Sequence, residues 1–197
     1  MICKKNMTNY EKKIIDVKNL KNLVNPDYLP KINLLFNKDI PKEPKTSDEL
    51  MLFRFAGLKE SDIQKYFFSQ IRNLGIEIMS KNKLNFIEAV KNDNGDAVVS
   101  KLTQNQRMAF YARKKAEGFK SGFPDLTILL FNSRICLRDT MYLELKRIDA
   151  PSGIHLTEEQ LDWFVKLNNM GYNSYITNNP IFFRDVILKE IRNFFEV

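Results

Sequence analysis

The sequence predicts an α/β fold, a mixed central β-sheet flanked by α-helices. Three observations predict it. Between residues 60 and 74, Ile63, Phe67, Ile71 and Leu74 recur at helical spacing on one face. Two short apolar runs, Leu126–Phe131 and Met141–Arg147, are joined by a turn-like segment from Asn132 to Thr140, as in a hairpin. A third run, Tyr172–Thr177, lies between two helical segments, so helices and strands alternate around a sheet.

Residues 1–57 are rich in Lys and Asn and are broken by Pro26, Pro30, Pro41 and Pro44. A helix is expected from about Tyr10 to Leu23, and Pro41–Lys45 reads as a linker. The division expected is an N-terminal extension over 1–57 and a main domain over 58–197. The helix beginning near Glu60 is expected to stop at Gly75, a typical residue just past a helix end. Ile76–Met79 and Leu84–Val90 read as strands, and Asn92-Asp93-Asn94-Gly95 is a turn signal.

A basic helix follows over about 103–117, closed by Gly118, and then the two hairpin strands. Pro151-Ser152-Gly153 marks a loop. Thr157 and Gln160 form the Thr-x-x-Gln of a capping box, opening a helix that stops at Gly171. The last helix starts with Asn179 as N-cap and Pro180 as its first residue, and carries Ile181, Val186, Ile187, Ile191, Phe194 and Phe195. Trp163, Phe164 and the Phe194–Phe195 pair are expected in the core or at a dimer surface.

A chain of 197 residues can bury a core without disulfides. Its two cysteines, Cys3 and Cys136, form no paired framework, which fits a reducing cytoplasm. The single histidine, His155, argues against a His-rich metal site and is expected in an ordinary loop role. No apolar run reaches the roughly 18–20 residues that span a bilayer, and Met1–Asn6 carries no apolar signal region. The formal net charge is +7 and the pI about 9.3, which favours an anionic partner. Between Lys101 and Phe123 lie Lys101, Arg107, Arg113, Lys114, Lys115 and Lys120 against one acid, Glu117. That basic stretch leads into Asp125. It reads either as a solvated helix face or as a phosphate-binding ramp.

The hairpin carries the chemistry. Side chains alternate along a strand, so Leu143 and Leu145 point one way and Tyr142, Glu144 and Lys146 the other. Glu144 and Lys146 then lie side by side, roughly 6–7 Å apart at Cα. Pairing of the two strands brings Asp125 towards Glu144. Two carboxylates and an ammonium suit phosphodiester hydrolysis. A hard divalent cation prefers oxygen ligands, lowers the pKa of bound water and polarises the phosphoryl group. Lys146 could orient that water or oppose the developing charge. Singly, Asp125 reads as a turn residue after Pro124, and Glu144 with Lys146 as a solvated charge pair.

The order Pro124-Asp125, then Glu144-x-Lys146, resembles the PD-(D/E)XK nuclease superfamily. The stretch Lys115-Ala116-Glu117-Gly118, Gly122-Phe123-Pro124-Asp125-Leu126 and the later Gln160-x-x-Trp163 are similar to the virus-type replication-repair nuclease (VRR-NUC) domain. The resemblance runs from about Glu60 to about Thr177. It implies a restriction-endonuclease-like core. It also implies one or two Mg²⁺ or Mn²⁺ ions held by Glu60, Asp125, Glu144 and the backbone carbonyl of Leu145, with Lys146 and Gln160 completing the catalytic set. Glu60 falls within about 60° of the apolar stripe of its helix, so it continues the buried face. It also reads as a first-turn acid favoured by the helix dipole. Gln160 reads equally as the capping-box glutamine and as an active-site group.

The expectation is therefore a metal-dependent DNA endonuclease of the cytoplasm, of phage-like type. It would select branched DNA such as a four-way junction or flap, and would act as a homodimer on the junction. Arg113, Lys114, Lys115, Lys120 and Arg147 would contact the DNA. The alternatives are a sequence-specific restriction-type endonuclease, a non-catalytic DNA-binding module that kept the fold, and an RNA-processing nuclease.

Overall fold

The computed structural model describes residues 31–33, 35, 39–92, 103–116, 122–148 and 156–196. The expected helix at Tyr10–Leu23, Asp93 to Gly95 of the turn signal, Gly118, the Pro151–Gly153 loop and His155 lie outside these residues.

The hairpin is the centre of the fold. β3 (Leu126–Asn132) and β4 (Leu137–Leu145) pair antiparallel, with Leu126 opposite Leu143 and Asn132 opposite Leu137. The turn between them is shorter than the sequence suggests, because Leu137–Thr140 extend β4. Along β3, buried residues alternate with half-buried ones. β2 (Phe86–Lys91) pairs antiparallel with β3 and forms one edge. β5 (Asn173–Thr177) lies parallel to β4, and β1 (Lys31–Asn33) parallel to β5. The sheet is mixed and five-stranded, in the order β1-β5-β4-β3-β2.

Helices cover both faces. On one side lie α1 (Ser47–Ala56), α2 (Glu60–Lys81) and a C-terminal helix, α5. Of these, α5 runs as Pro180–Phe182, a π turn over Phe183–Ile187, and Leu188–Glu196. Ile63, Phe67, Ile71 and Leu74 are buried here, as their spacing predicts, against Ile128, Met141, Leu143, Phe183 and Ile191. On the other side α4 (Glu158–Asn169) buries Phe164 against Ile176 and Leu156. The basic helix α3 is Gln104–Ala116, and Thr103 and Gln106 exchange side-chain and backbone hydrogen bonds at its start.

Two expectations are corrected. Gly75 does not end its helix, and Ile76–Met79 are not a strand: α2 continues to Lys81. The buried stripe continues through Ile78, and packing of that stripe outweighs the cost of a helical glycine, about 1 kcal/mol relative to alanine. Gly75 serves close approach instead. A Cβ there would lie 2.6 Å from the Ile87 Cγ2 of β2. The part of 1–57 that is described joins the sheet and its core: β1 pairs with β5, and Phe55 of α1 is buried with its ring 4.9 Å from Tyr66 and 5.9 Å from Phe67.

Candidate active site

The β3–β4 register sets the site. With Leu126 opposite Leu143, the residue before β3, Asp125, falls level with Glu144. Asp125 is 5% exposed and its Oδ2 accepts the Leu145 N–H at 2.8 Å. Glu144 is 1% exposed. As the alternation predicts, Leu143 and Leu145 enter the main core while Glu144 turns to the opposite face, where Lys146 follows it. The Lys146 Nζ donates to the Glu144 Oε1 at 2.5 Å, and its backbone N–H donates to the Thr177 carbonyl at 3.0 Å, so β5 fixes the lysine's backbone.

Gln160 comes from the first turn of α4. Its Oε1 accepts the Thr157 N–H at 3.0 Å and the Lys146 Nζ at 3.2 Å. Its Nε2 donates to the Glu144 Oε1. The two readings of this residue are therefore not exclusive. The capping box is formed, and the same side chain ties Lys146 to Glu144.

Two supports were not legible as such. Asn92, at the end of β2, donates its Nδ2 to the Pro124 carbonyl at 2.6 Å and the Thr127 Oγ1 at 3.1 Å, and its N–H to the Asp125 carbonyl at 2.8 Å. It pins the segment that presents Asp125. The sequence shows this asparagine only as the first residue of a turn signal, because its partners lie more than 30 residues away. Asn178, fully buried, bridges the Leu35 backbone and reaches the Arg147 carbonyl at 3.5 Å.

Glu60 opens α2 and is half-buried, with its charge within reach of both carboxyls. Burial pushes the Asp125 carboxyl up to about 6; the Glu60 charge adds to this, while the Leu145 N–H opposes it. Burial likewise pushes Glu144 up to about 8, reinforced by the Asp125 charge and countered by Lys146. The second Glu144 oxygen, Oε2, is buried with no hydrogen-bond partner among the described residues.

Of the expected site residues, Asp125, Glu144, Lys146 and Gln160 form one connected set, and the Leu145 amide joins it. Among the described residues no group of three or more His, Cys, Asp or Glu side chains lies close enough to enclose a metal ion. Of the expected DNA contacts, Arg113 on α3 and Arg147 after β4 are exposed. Lys114 and Lys115 lie on α3 with side chains outside the described residues, and Lys120 lies outside them altogether. Among the described residues no helix is long and apolar enough to cross a membrane. Set against family models, curated proteins and solved structures, the chain matches none.

Proposed function

We propose that this chain is a metal-dependent nuclease with a restriction-endonuclease-like core, hydrolysing phosphodiester bonds in DNA. The observation that carries the reading is the state of Glu144. It is buried level with Asp125, one of its oxygens is held by Lys146 and Gln160, and the other has no partner among the described residues. Two adjacent desolvated carboxyls are costly to ionise unless a cation joins them. The donor set fits a hard divalent ion, Mg²⁺ or Mn²⁺. Asp125 and Glu144 would hold it, with the Leu145 carbonyl; Glu60, which the resemblance adds, is not gathered with them into a three-acid group. Once bound, the ion would supply Lewis-acid polarisation of the phosphoryl group and a more acidic water.

The chain's own residues supply the rest. Lys146 places a positive charge beside Glu144, where it can orient the attacking water and oppose charge on the phosphate. Gln160 holds Lys146 and Glu144 together through α4. The Leu145 N–H keeps the Asp125 carboxyl turned towards β4. The net charge of +7 and the exposed Arg113 and Arg147 favour contacts to the backbone of nucleic acid. The resemblance of the motifs to the VRR-NUC domain favours branched DNA over a fixed sequence, and a cytoplasmic homodimer acting on a junction.

The test is a labelled panel of four-way junction, flap, single strand and linear duplex, with Mg²⁺, Mn²⁺ or EDTA. Wild type, Lys146→Ala and Glu144→Gln are compared. Metal-dependent cutting of a branched substrate, lost in both variants, is the expected result. Binding without cutting in all three proteins overturns the enzyme reading in favour of a non-catalytic module. Cutting of linear duplex at one fixed sequence overturns the branch preference.

A further inference from the structure

Four aromatic rings run in an unbroken edge-to-face strip beside the carboxylates. Trp163 of α4 meets Phe123 at 4.9 Å, Phe123 meets Tyr142 of β4 at 5.7 Å, and Tyr142 meets Tyr172 at 5.4 Å between ring centroids. All four are only half-buried, and none belongs to either apolar core. Trp163, expected in the core or at a dimer surface, is outside both cores and half-buried in this strip. The Lys166 Nζ stands 5.5 Å from the Trp163 ring centroid, a cation–π contact at one end of the strip, and is itself paired with the Asp162 carboxylate at 2.6 Å.

The strip is continuous with the site. Phe123 precedes Asp125 by two residues. Tyr142 precedes Glu144 by two residues on the same face of β4, about 6–7 Å along the strand. A phosphate lying at the carboxylates therefore has rings within reach of its attached base. Partly exposed rings beside cationic groups are how proteins hold bases that are free of a duplex, by stacking and cation–π contact. Bases inside a duplex are already stacked on their neighbours and cannot occupy such a strip.

We propose that Trp163, Phe123, Tyr142 and Tyr172 form a stacking platform for unpaired nucleotides next to the bond that is cut. The occupant is a single-stranded segment of nucleic acid, as at a flap or branch. This rests on the phosphodiester chemistry proposed for Asp125 and Glu144, and it specifies the part of the substrate that this site reads.

Trp163 is the only tryptophan, so its emission reports on the strip alone. The full chain in EDTA is titrated with a single strand of about 10 nucleotides, within the usual site size of such surfaces. The comparisons are the same length of abasic strand and the corresponding duplex, each as DNA and as RNA. Expected are quenching of Trp163 and binding about tenfold tighter for the base-bearing strand than for the abasic one. Tyr172→Ala should lose about tenfold in affinity for that strand, and Tyr172→Phe should restore it. Equal binding and quenching by the abasic strand, or unchanged binding in Tyr172→Ala, overturns the platform. The two proposals fail separately. Metal-dependent cutting without base-dependent quenching removes the platform alone. Base-dependent quenching without cutting removes the hydrolytic reading and leaves a single-strand binding surface.

Discussion

A Cβ on Gly122 would lie 2.6 Å from the backbone nitrogen of Gln160. The loop that presents Asp125 thus packs directly on the first turn of α4, and the absence of a side chain at residue 122 lets Gln160 reach Glu144. Gly122 also has a φ of +77°, which side-chain-bearing residues rarely adopt.

Gly122→Ala is expected to destabilise the protein by about 2–4 kcal/mol, the sum of left-handed strain and overpacking. Gly171→Ala is the control: its φ is +83°, but nothing lies within 4 Å of the added methyl, so only the backbone cost of about 1 kcal/mol applies. Urea unfolding of both variants checks this. Equal losses would show that the contact between the loop and α4 is slack.

The raised carboxyls set a pH dependence. In the metal-free protein Asp125 titrates near 6 and Glu144 near 8, above their ordinary values of 3.8 and 4.5. The folded state then binds more protons than the unfolded state between about pH 4 and 8, so stability falls as pH rises through that window. Glu144→Gln resembles the protonated acid. It should match wild type near pH 4 and exceed it by about 2 kcal/mol at pH 8, less than the full shift implies because Lys146 loses its ion partner. Millimolar Mg²⁺ or Mn²⁺ should raise the Tm of wild type at pH 8 and leave that of Glu144→Gln nearly unchanged. Thermal unfolding across pH, with and without metal, reads both effects. A wild type whose stability is flat from pH 4 to 8 would count against shared burial of the two acids.

Asn92→Ala removes two side-chain hydrogen bonds and leaves the Pro124 carbonyl without that donor. The expected cost is about 1–3 kcal/mol. Asn92→Asp keeps the size but cannot donate to that carbonyl, and it adds a charge near Asp125, so it should cost at least as much at neutral pH. Denaturant unfolding of the pair tests whether this residue acts through its amide. Full stability in Asn92→Asp would mean that it does not.

Much of this chain is determined by local pattern. The stripe Ile63, Phe67, Ile71 and Leu74, the alternation through Leu143, Glu144 and Leu145, the Thr157–Gln160 box and the Asn179–Pro180 helix start all depend on neighbours within a few residues, and the sequence displays them directly. Juxtaposing Pro124-Asp125 with Glu144-x-Lys146 needs only a hairpin, which is local too. What the tertiary structure decided depends on contacts between distant segments. Gly75 reads as a stop signal, yet the face that α2 buries against β2 carries the helix through it to Lys81. Gln160 satisfies its cap and reaches Glu144 only because α4 lies across the sheet. Asn92, Asn178 and Gly122 act on partners that no local pattern reveals. The same holds for the protonation of the carboxyls: the sequence supplies two ordinary acids, and the removal of water by packing around them shifts their pKa values.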